Sequence, residues 1–329
     1  MSGAAAAVAG REVPGAGARA PGSLPAALGL AGLAVALGLV GAALVRPGGS
    51  PGLAAALGAA ALALALMALA RLARRDGWAG GLGTPLLFGL VLLWLWEVLV
   101  VGFQVPRVLL PAPSAIWHAL LAHFPTLLAD FRQTFVRSVI PGYAMGCGAG
   151  FLVAVAIDRS PFLQRGLLPL GSLVSAMPIV GIAPIMVMWF GFDWQSKAAV
   201  IVVMTFFPML VNTLAGLASA GEMERDLMRS YAAGYLQTLV RLRLPNAMPF
   251  VFNALKLNST LALIGAIVAE FFGTPIVGMG FRISTEVARM NVDVVWATIA
   301  LAALAGSASY GLISLVERGT TFWHPSFRK

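Results

Sequence analysis

The chain has 329 residues, 59% of them hydrophobic and only 11% charged, and its mean hydropathy is +0.88, far outside the range of water-soluble domains. A formal charge of +9 would suit nucleic acid, but the basic residues are scattered among apolar runs and build no basic face with stacking aromatics; they are read as membrane orientation signals, and no nucleic-acid partner is expected. One cysteine, Cys147, excludes a disulfide framework and a cysteine metal site. The histidines at 118, 123 and 324 lack metal-ligand spacing, and no lysine closes a glycine-rich phosphate loop, so neither a metal nor a cofactor is expected in this chain.

Residues 1–24 are rich in Ala, Gly and Pro and carry Arg11 and Arg19, the composition of a flexible tail. The apolar run that follows is too long for a signal-peptide core and is succeeded at once by another. About 20 apolar residues cross a bilayer as a helix, which places spans near 25–45, 53–72, 84–103, 136–157, 167–190, 198–218, 249–273 and 294–315. The expected fold is therefore an all-α polytopic bundle of about eight transmembrane helices. The first two spans form a hairpin at 25–75, and residues 321–329 form a short tail. Pro178 and Pro184 break the fifth span in "SAMPIVGIAPIMVMWFG", which is tolerated where neighbours or a cavity satisfy the freed backbone. With the amino terminus inside, the inner segments hold twice the arginine and lysine of the outer ones, so both termini are expected in the cytoplasm.

One cytoplasmic insert is unusually polar: "DLMRSYAAGYLQTLVRLRLPNAMPF", Asp226 to Phe250. From Glu222 to Ala233 the pattern is helical, with Met223, Leu227 and Tyr231 at spacings of four. Gly234 fits the helix end, where glycine takes the left-handed conformation. A second short helix, Tyr235 to Arg243, should stop before Pro245, because the residue ahead of a proline disfavours helix. Two readings of the insert stand: an interfacial loop resting on lipid headgroups, or a docking element for a cytoplasmic partner.

The insert resembles the cytoplasmic signature of permease subunits of bacterial binding-protein-dependent ABC importers, E-A-A-x3-G-x9-I-x-L-P. Asp226-Leu227-Met228, Ala232 and Leu242-x-Leu244-Pro245 keep its spacing. Asp replaces Glu, Leu-Met replaces the two alanines, and Ala232 stands where the family has glycine, with Gly234 two residues later. "LPAPSAIWHAL" (Leu110 to Leu120), "SAMPIVGIAPIMVMWFGF" (Ser175 to Phe192) and "ALKLNSTLALIGAIVAEFFG" (Ala254 to Gly273) look like the nitrate, sulfonate, taurine and pyrimidine-precursor branch. The resemblance implies a permease core of six helices over about 84–320 with its coupling segment at 222–245. It also implies a cytoplasmic ATP-binding subunit that binds and hydrolyses the ATP, an extracytoplasmic solute-binding protein, and a second permease subunit, expected as a second copy. The chain would lie in the bacterial cell (inner) membrane and would not itself be an enzyme. A helix-in-groove contact uses anchors at i, i+4 and i+8, here Met223, Leu227 and Tyr231, with Arg225 and Arg229 free for charge pairing at the rim.

A translocation path is expected along the seventh span, where Asn253, Lys256, Thr260, Leu263, Ile267 and Glu270 recur at spacings of three and four and share one face. Charge in a membrane helix is expensive, so this face should look into protein or a watery cavity. Lys256 is equally compatible with snorkelling to an interface, and Glu270 suits a structural or gating role. Ser172, Ser175 and Met177, just ahead of the Pro178 break, are further path candidates. A secondary transporter without an ATPase is the competing function; it would call for coupling carboxylates and inverted repeats, and no repeat is visible between the halves.

Overall fold

The structure, a computed structural model, describes residues 29, 31–32, 34–35, 38, 51–73, 78–273 and 276–322. The tail at 1–24, most of the span expected at 25–45 and nearly all of the tail at 321–329 lie outside the described residues. Among those described, secondary structure is helical throughout, with no strand. Five helical runs among the described residues are long and apolar enough to cross a membrane: Gly83–Gly102, Phe124–Ile157, Trp194–Ala218, Tyr235–Phe272 and Val292–Thr320. The expected count of eight is not confirmed, the first expected span lying mostly outside the described residues. The fifth expected span, 167–190, is two helices, and the helix over the second offers only the shorter apolar stretch Ala56–Arg71.

The chain divides into two compact units, Met1–Pro106 and Arg107–Lys329, so the unit boundary falls after the helix that was expected to open the core at 84. In the first unit α1 (Pro51–Leu72) packs on α2 (Trp78–Gly102). Ala68, Leu69 and Leu87 are buried together, with Ala31 and Val91 against them. The opposite faces expose Leu66, Leu86, Phe88 and Leu92, an apolar surface that suits lipid rather than water.

The second unit holds α3 (Pro113–Ala122), α4 (Phe124–Phe131), a π-helical stretch (Arg132–Val139), α5 (Ile140–Ile157), α6 (Pro161–Ser175), α7 (Ile179–Phe190) and α8 (Trp194–Ala218). Then come α9 (Glu222–Ser230), α10 (Tyr235–Thr238), a second π-helical stretch (Leu239–Arg243), α11 (Leu244–Phe272), α12 (Met279–Ala288) and α13 (Val292–Thr320). At its centre α8 lies between α5 and α11. Glycines let α5 approach. A Cβ on Gly142 would meet Ile201 Cβ at 2.8 Å, one on Gly150 would meet Phe206 O at 2.5 Å, and one on Gly146 would strike Thr205. In lipid, helices associate through such close packing and through hydrogen bonds between them. The bonds are present: Asn258 Nδ2 donates to Thr205 O at 2.8 Å, and Tyr143 OH donates to Leu255 O at 3.0 Å.

The second short helix of the polar insert does not stop before Pro245 as expected. Tyr235 to Phe272 is one continuous run, in which the π turn at Leu239–Arg243 leads into α11 and leaves Pro245 in the first turn of the α-helical part. Lacking an N–H, it withholds one backbone bond from the preceding turn, where the winding is π. The end of α9 also differs from expectation. Ala233 N–H bonds to Met228 O at 3.0 Å and Ala232 N–H to Arg229 O at 2.9 Å, the paired bonds of a Schellman end. The left-handed residue they require is Ala232, with φ 53°. Gly234, at φ −70°, instead opens α10.

Two predictions follow from these contacts. An L-residue in the left-handed region costs roughly 1–2 kcal/mol, and glycine's extra unfolded freedom costs about 0.5–1 kcal/mol. Ala232→Gly should therefore stabilise the segment by up to about 1.5 kcal/mol, while Ala232→Val, whose branched Cβ fits that region worst, should lower the melting temperature of the purified chain in detergent. Lys256 Nζ lies 2.7 Å from Glu317 Oε2, with both side chains largely buried, and joins α11 to α13. Lys256→Met should destabilise by about 3–5 kcal/mol through the orphaned carboxylate, and adding Glu317→Leu should recover most of that loss, as read by thermal unfolding in detergent.

Candidate coupling segment and translocation face

Helix α9 is capped at both ends and fastened to α8 at its start, while its outer face stays free. Glu222 and Glu224 sit in its first turn, where the helix dipole favours acid. The Glu224 carboxylate reaches back to accept from Gly221 N–H at 3.1 Å. Arg225 was expected at the rim, free for pairing, but its Nη2 donates to Ala218 O at 2.6 Å, fastening α9 to the last carbonyls of α8. Arg229 pairs with Asp226 at 3.0 Å, and both are well exposed, so that pair adds little stability. Met223, Leu227 and Tyr231 are 86%, 57% and 78% exposed, an apolar row on a helix with no buried residue. Leu236 and Val240 extend the exposed apolar surface.

The root of the segment is anchored more firmly than its tip. Leu242, Leu244 and Pro245 are half-buried, and Leu244 packs on the cluster of Leu217, Leu239 and Ala247. The guanidinium of Arg243 donates from Nη1 and Nη2 to the two Asp158 oxygens, at 2.5 and 2.8 Å, and its Nε donates to Leu217 O at 2.9 Å. Tyr235 OH donates to Asp158 Oδ2 at 2.8 Å, while Arg159 lies 4.7 Å over the Tyr235 ring. This node ties the coupling segment to the ends of both α5 and α8. Sequence reasoning missed it. Asp158 is the single acid closing an apolar span, and its partners lie 77 and 85 residues away.

The residues expected to share a path face separate into two groups. Asn253 and Thr260 are exposed, in a stripe with Phe250, Leu257 and Ile264. Thr260 Oγ1 donates to its own helix at Leu257 O, 2.8 Å. Lys256 is instead paired with Glu317, and Leu263 is buried in the core. Glu270, 2% exposed, accepts from Thr134 Oγ1 at 2.8 Å and from Gly280 N–H at 2.7 Å. Gly278, at φ 148°, passes so close that a Cβ would meet the Glu270 carboxylate at 2.8 Å. Beside this group Asp130 accepts from Gly278 N–H at 2.9 Å and from Arg282 Nε at 2.7 Å. Hydrogen bonding to Asp130 raises the Arg282 pKa above its ordinary value. A hub of α4, the first π stretch, α11 and α12 thus closes the end remote from the coupling segment.

Ser172 and Ser175 lie on α6, their side chains outside the described residues. Pro178, in extended conformation, starts α7 and makes the break. Met177, just before it, is exposed and joins Ile179, Ile182, Val200, Met204, Pro208 and Leu261 around a cavity of about 200 Å³.

Comparison with known proteins bears on this arrangement. Residues 146–322 match the family described as "Binding-protein-dependent transport system inner membrane component". The chain is similar to a "Probable ABC transporter permease protein" of Haemophilus influenzae, 30% identical over 65% of this chain and 87% of the relative. It also resembles the formylaminopyrimidine transport permease protein of Halalkalibacterium halodurans, 29% identical over 73% of this chain and 95% of the relative. A third relative is the taurine transport system permease protein of Escherichia coli, 27% identical over 77% and 95%. The matched region runs from within α5 to the end of α13 and takes in the whole coupling segment. The chain therefore belongs to the binding-protein-dependent transport system inner membrane components, as a multi-pass permease subunit of an ABC transporter.

Proposed function

We propose that this permease draws the work for import from a separate cytoplasmic ATP-binding subunit, which holds the ATP and receives α9 in a surface groove. The observation that carries this reading is the exposed row Met223, Leu227 and Tyr231 on a helix capped at both ends and fastened to α8 at its start. Anchors that project from a pre-ordered helix lose little further freedom on docking. An extracytoplasmic solute-binding protein delivers the substrate, a second copy of the chain completes the path, and both termini lie in the cytoplasm. The relatives are described as carrying formylaminopyrimidine and taurine, and this chain is assigned a small nutrient of the same kind, anionic or heteroaromatic.

The path is assigned to the break at Met177–Pro178, with Ser172 and Ser175, and to the exposed Asn253 and Thr260 of α11. The cavity under the break and the outward polar stripe support it. Lys256 and Glu270 are assigned structural roles, since each is held by partners on another segment.

Leu227→Ala with Tyr231→Ala removes apolar contacts worth about 1.5–3 kcal/mol each when fully buried and costs the exposed helix little, alanine being the best helix former. The double variant should reach the membrane at normal levels, lose copurification of the ATP-binding subunit and stop uptake. Wild-type uptake with that subunit still attached would return α9 to the role of a lipid-resting loop. For orientation, reporters fused after Arg75, after Arg165 and at the carboxyl terminus should read cytoplasmic, and one near Pro113 external. An external signal at Arg75 would overturn the arrangement of the amino-terminal hairpin.

A further inference from the structure

Toward the end of the permease unit remote from the coupling segment, the fold treats its cations in two ways. Arg282 is paired with Asp130, and Lys197, almost wholly buried, donates to Phe192 O and Asp193 O at 2.5 and 3.1 Å. Arg132 and Arg137 stand within the helical run Phe124–Ile157, yet neither has a carboxylate within 4.0 Å among the described residues. Both are exposed and stand toward the amino-terminal end of a 34-residue run, longer than the roughly 20 residues that cross a bilayer, so what faces them is solvent, a lipid headgroup or a ligand held in a cavity.

Such a cavity is present. A space of about 420 Å³ is lined by Ala129, Arg132, Gln133, Val136, Arg137 and Val277. A second, of about 450 Å³, is lined by Arg137, Pro141, Asp193 and Trp194, so Arg137 borders both, with the Asp193 carboxylate on the far one. The local winding produces the convergence. In an α-helix of 3.6 residues per turn, positions five apart point about 140° away from each other. Residues 132–139 are π-helical, and the i→i+5 bonding of that form brings residue 137 back over residue 132. Gln133, buried, accepts from Arg137 Nη1 through Oε1 at 3.2 Å and steadies the fork. Asp158, at the other end of the same run, touches the coupling segment, and about 30 Å of helix separates it from Arg137.

We propose that the cavity of Arg132, Gln133 and Arg137 is an oxyanion-binding site, which takes the sulfonate, carboxylate or phosphate group of a small soluble anion at the mouth of the permease. Two planar guanidinium forks suit such a group better than single-point cations do, and the volume falls in the range of small-molecule pockets. The role at the mouth rests on the transport reading above; the binding itself does not. A lipid headgroup offers the same phosphate chemistry, so the test separates the two sources.

Ala129 is exposed on the cavity wall and the native Cys147 is buried, so the full chain carrying Ala129→Cys reports occupancy through its labelling rate with a hydrophilic maleimide. In discs of phosphatidylcholine at constant ionic strength, saturating methanesulfonate or inorganic sulfate should slow labelling about tenfold through the charge-assisted bonds of the two forks. Neutral dimethyl sulfone should not slow it. Arg132→Gln with Arg137→Gln should remove the protection, and Arg137→Lys should keep part of it. Labelling unchanged by both anions overturns the proposal, as does equal slowing by dimethyl sulfone. Slowing that appears only when phosphatidylglycerol is in the disc also overturns it and gives the cavity to a lipid. The measurement needs no ATP-binding subunit, so a failure of the coupling assignment leaves its outcome readable.

Discussion

Lipid tails are as apolar as leucine, so the hydrophobic surface that makes this chain a membrane protein does not hold its helices to one another. Cohesion has to come from close backbone approach and from polar groups that find each other out of water. Both are concentrated on α8. The glycines at 142, 146 and 150 bring α5 onto it, and Gly216 lets α11 in, a Cβ there meeting Ala247 at 2.9 Å. Asn258 then bonds across to the Thr205 carbonyl and lies 3.2 Å from Cys147 Sγ, so one side chain touches all three central helices.

The same need for partners sets what happens at the two ends of the unit. At one end Asp130, Thr134, Glu270 and Arg282 satisfy each other and the three backbone N–H groups of Gly278, Met279 and Gly280. At the other, Arg243 joins Asp158 to the Leu217 carbonyl, so α5, α8 and the root of the coupling segment share one guanidinium. On the proposed docking of α9, a displacement of the helix would enter the bundle through that node and through Arg225 on Ala218. It therefore reaches two spans together. Packed, fully bonded elements of this kind move as bodies between alternative arrangements rather than deforming smoothly.

Much of this was legible in the residues. The apolar runs gave the membrane class, and the spacing Asp226, Ala232, Leu242, Leu244, Pro245 pointed to the permease family despite its altered letters. The break at Pro178 was visible because proline lacks a donor. Details of winding were not. Pro245 read as a stop, yet a π turn set it in the first turn of the next helix, and Gly234 read as the helix end that Ala232 provides. Those choices depend on where neighbouring carbonyls and caps fall, which local propensity does not specify.

By itself the sequence determined the solvent of this protein, the family to which its insert points and the presence of a polar helix between long spans, because composition and short-range spacing carry those properties. Tertiary structure alone decided which polar groups are structural and which remain free. Lys256 and Glu270 lie on one predicted face with Asn253 and Thr260, yet the first two are consumed by Glu317, Thr134 and Gly280 while the others stay exposed. A charge in a membrane helix is defined by its partner, and here the side-chain partners Glu317 and Thr134 lie 61 and 136 residues away, beyond the reach of any pattern along the chain.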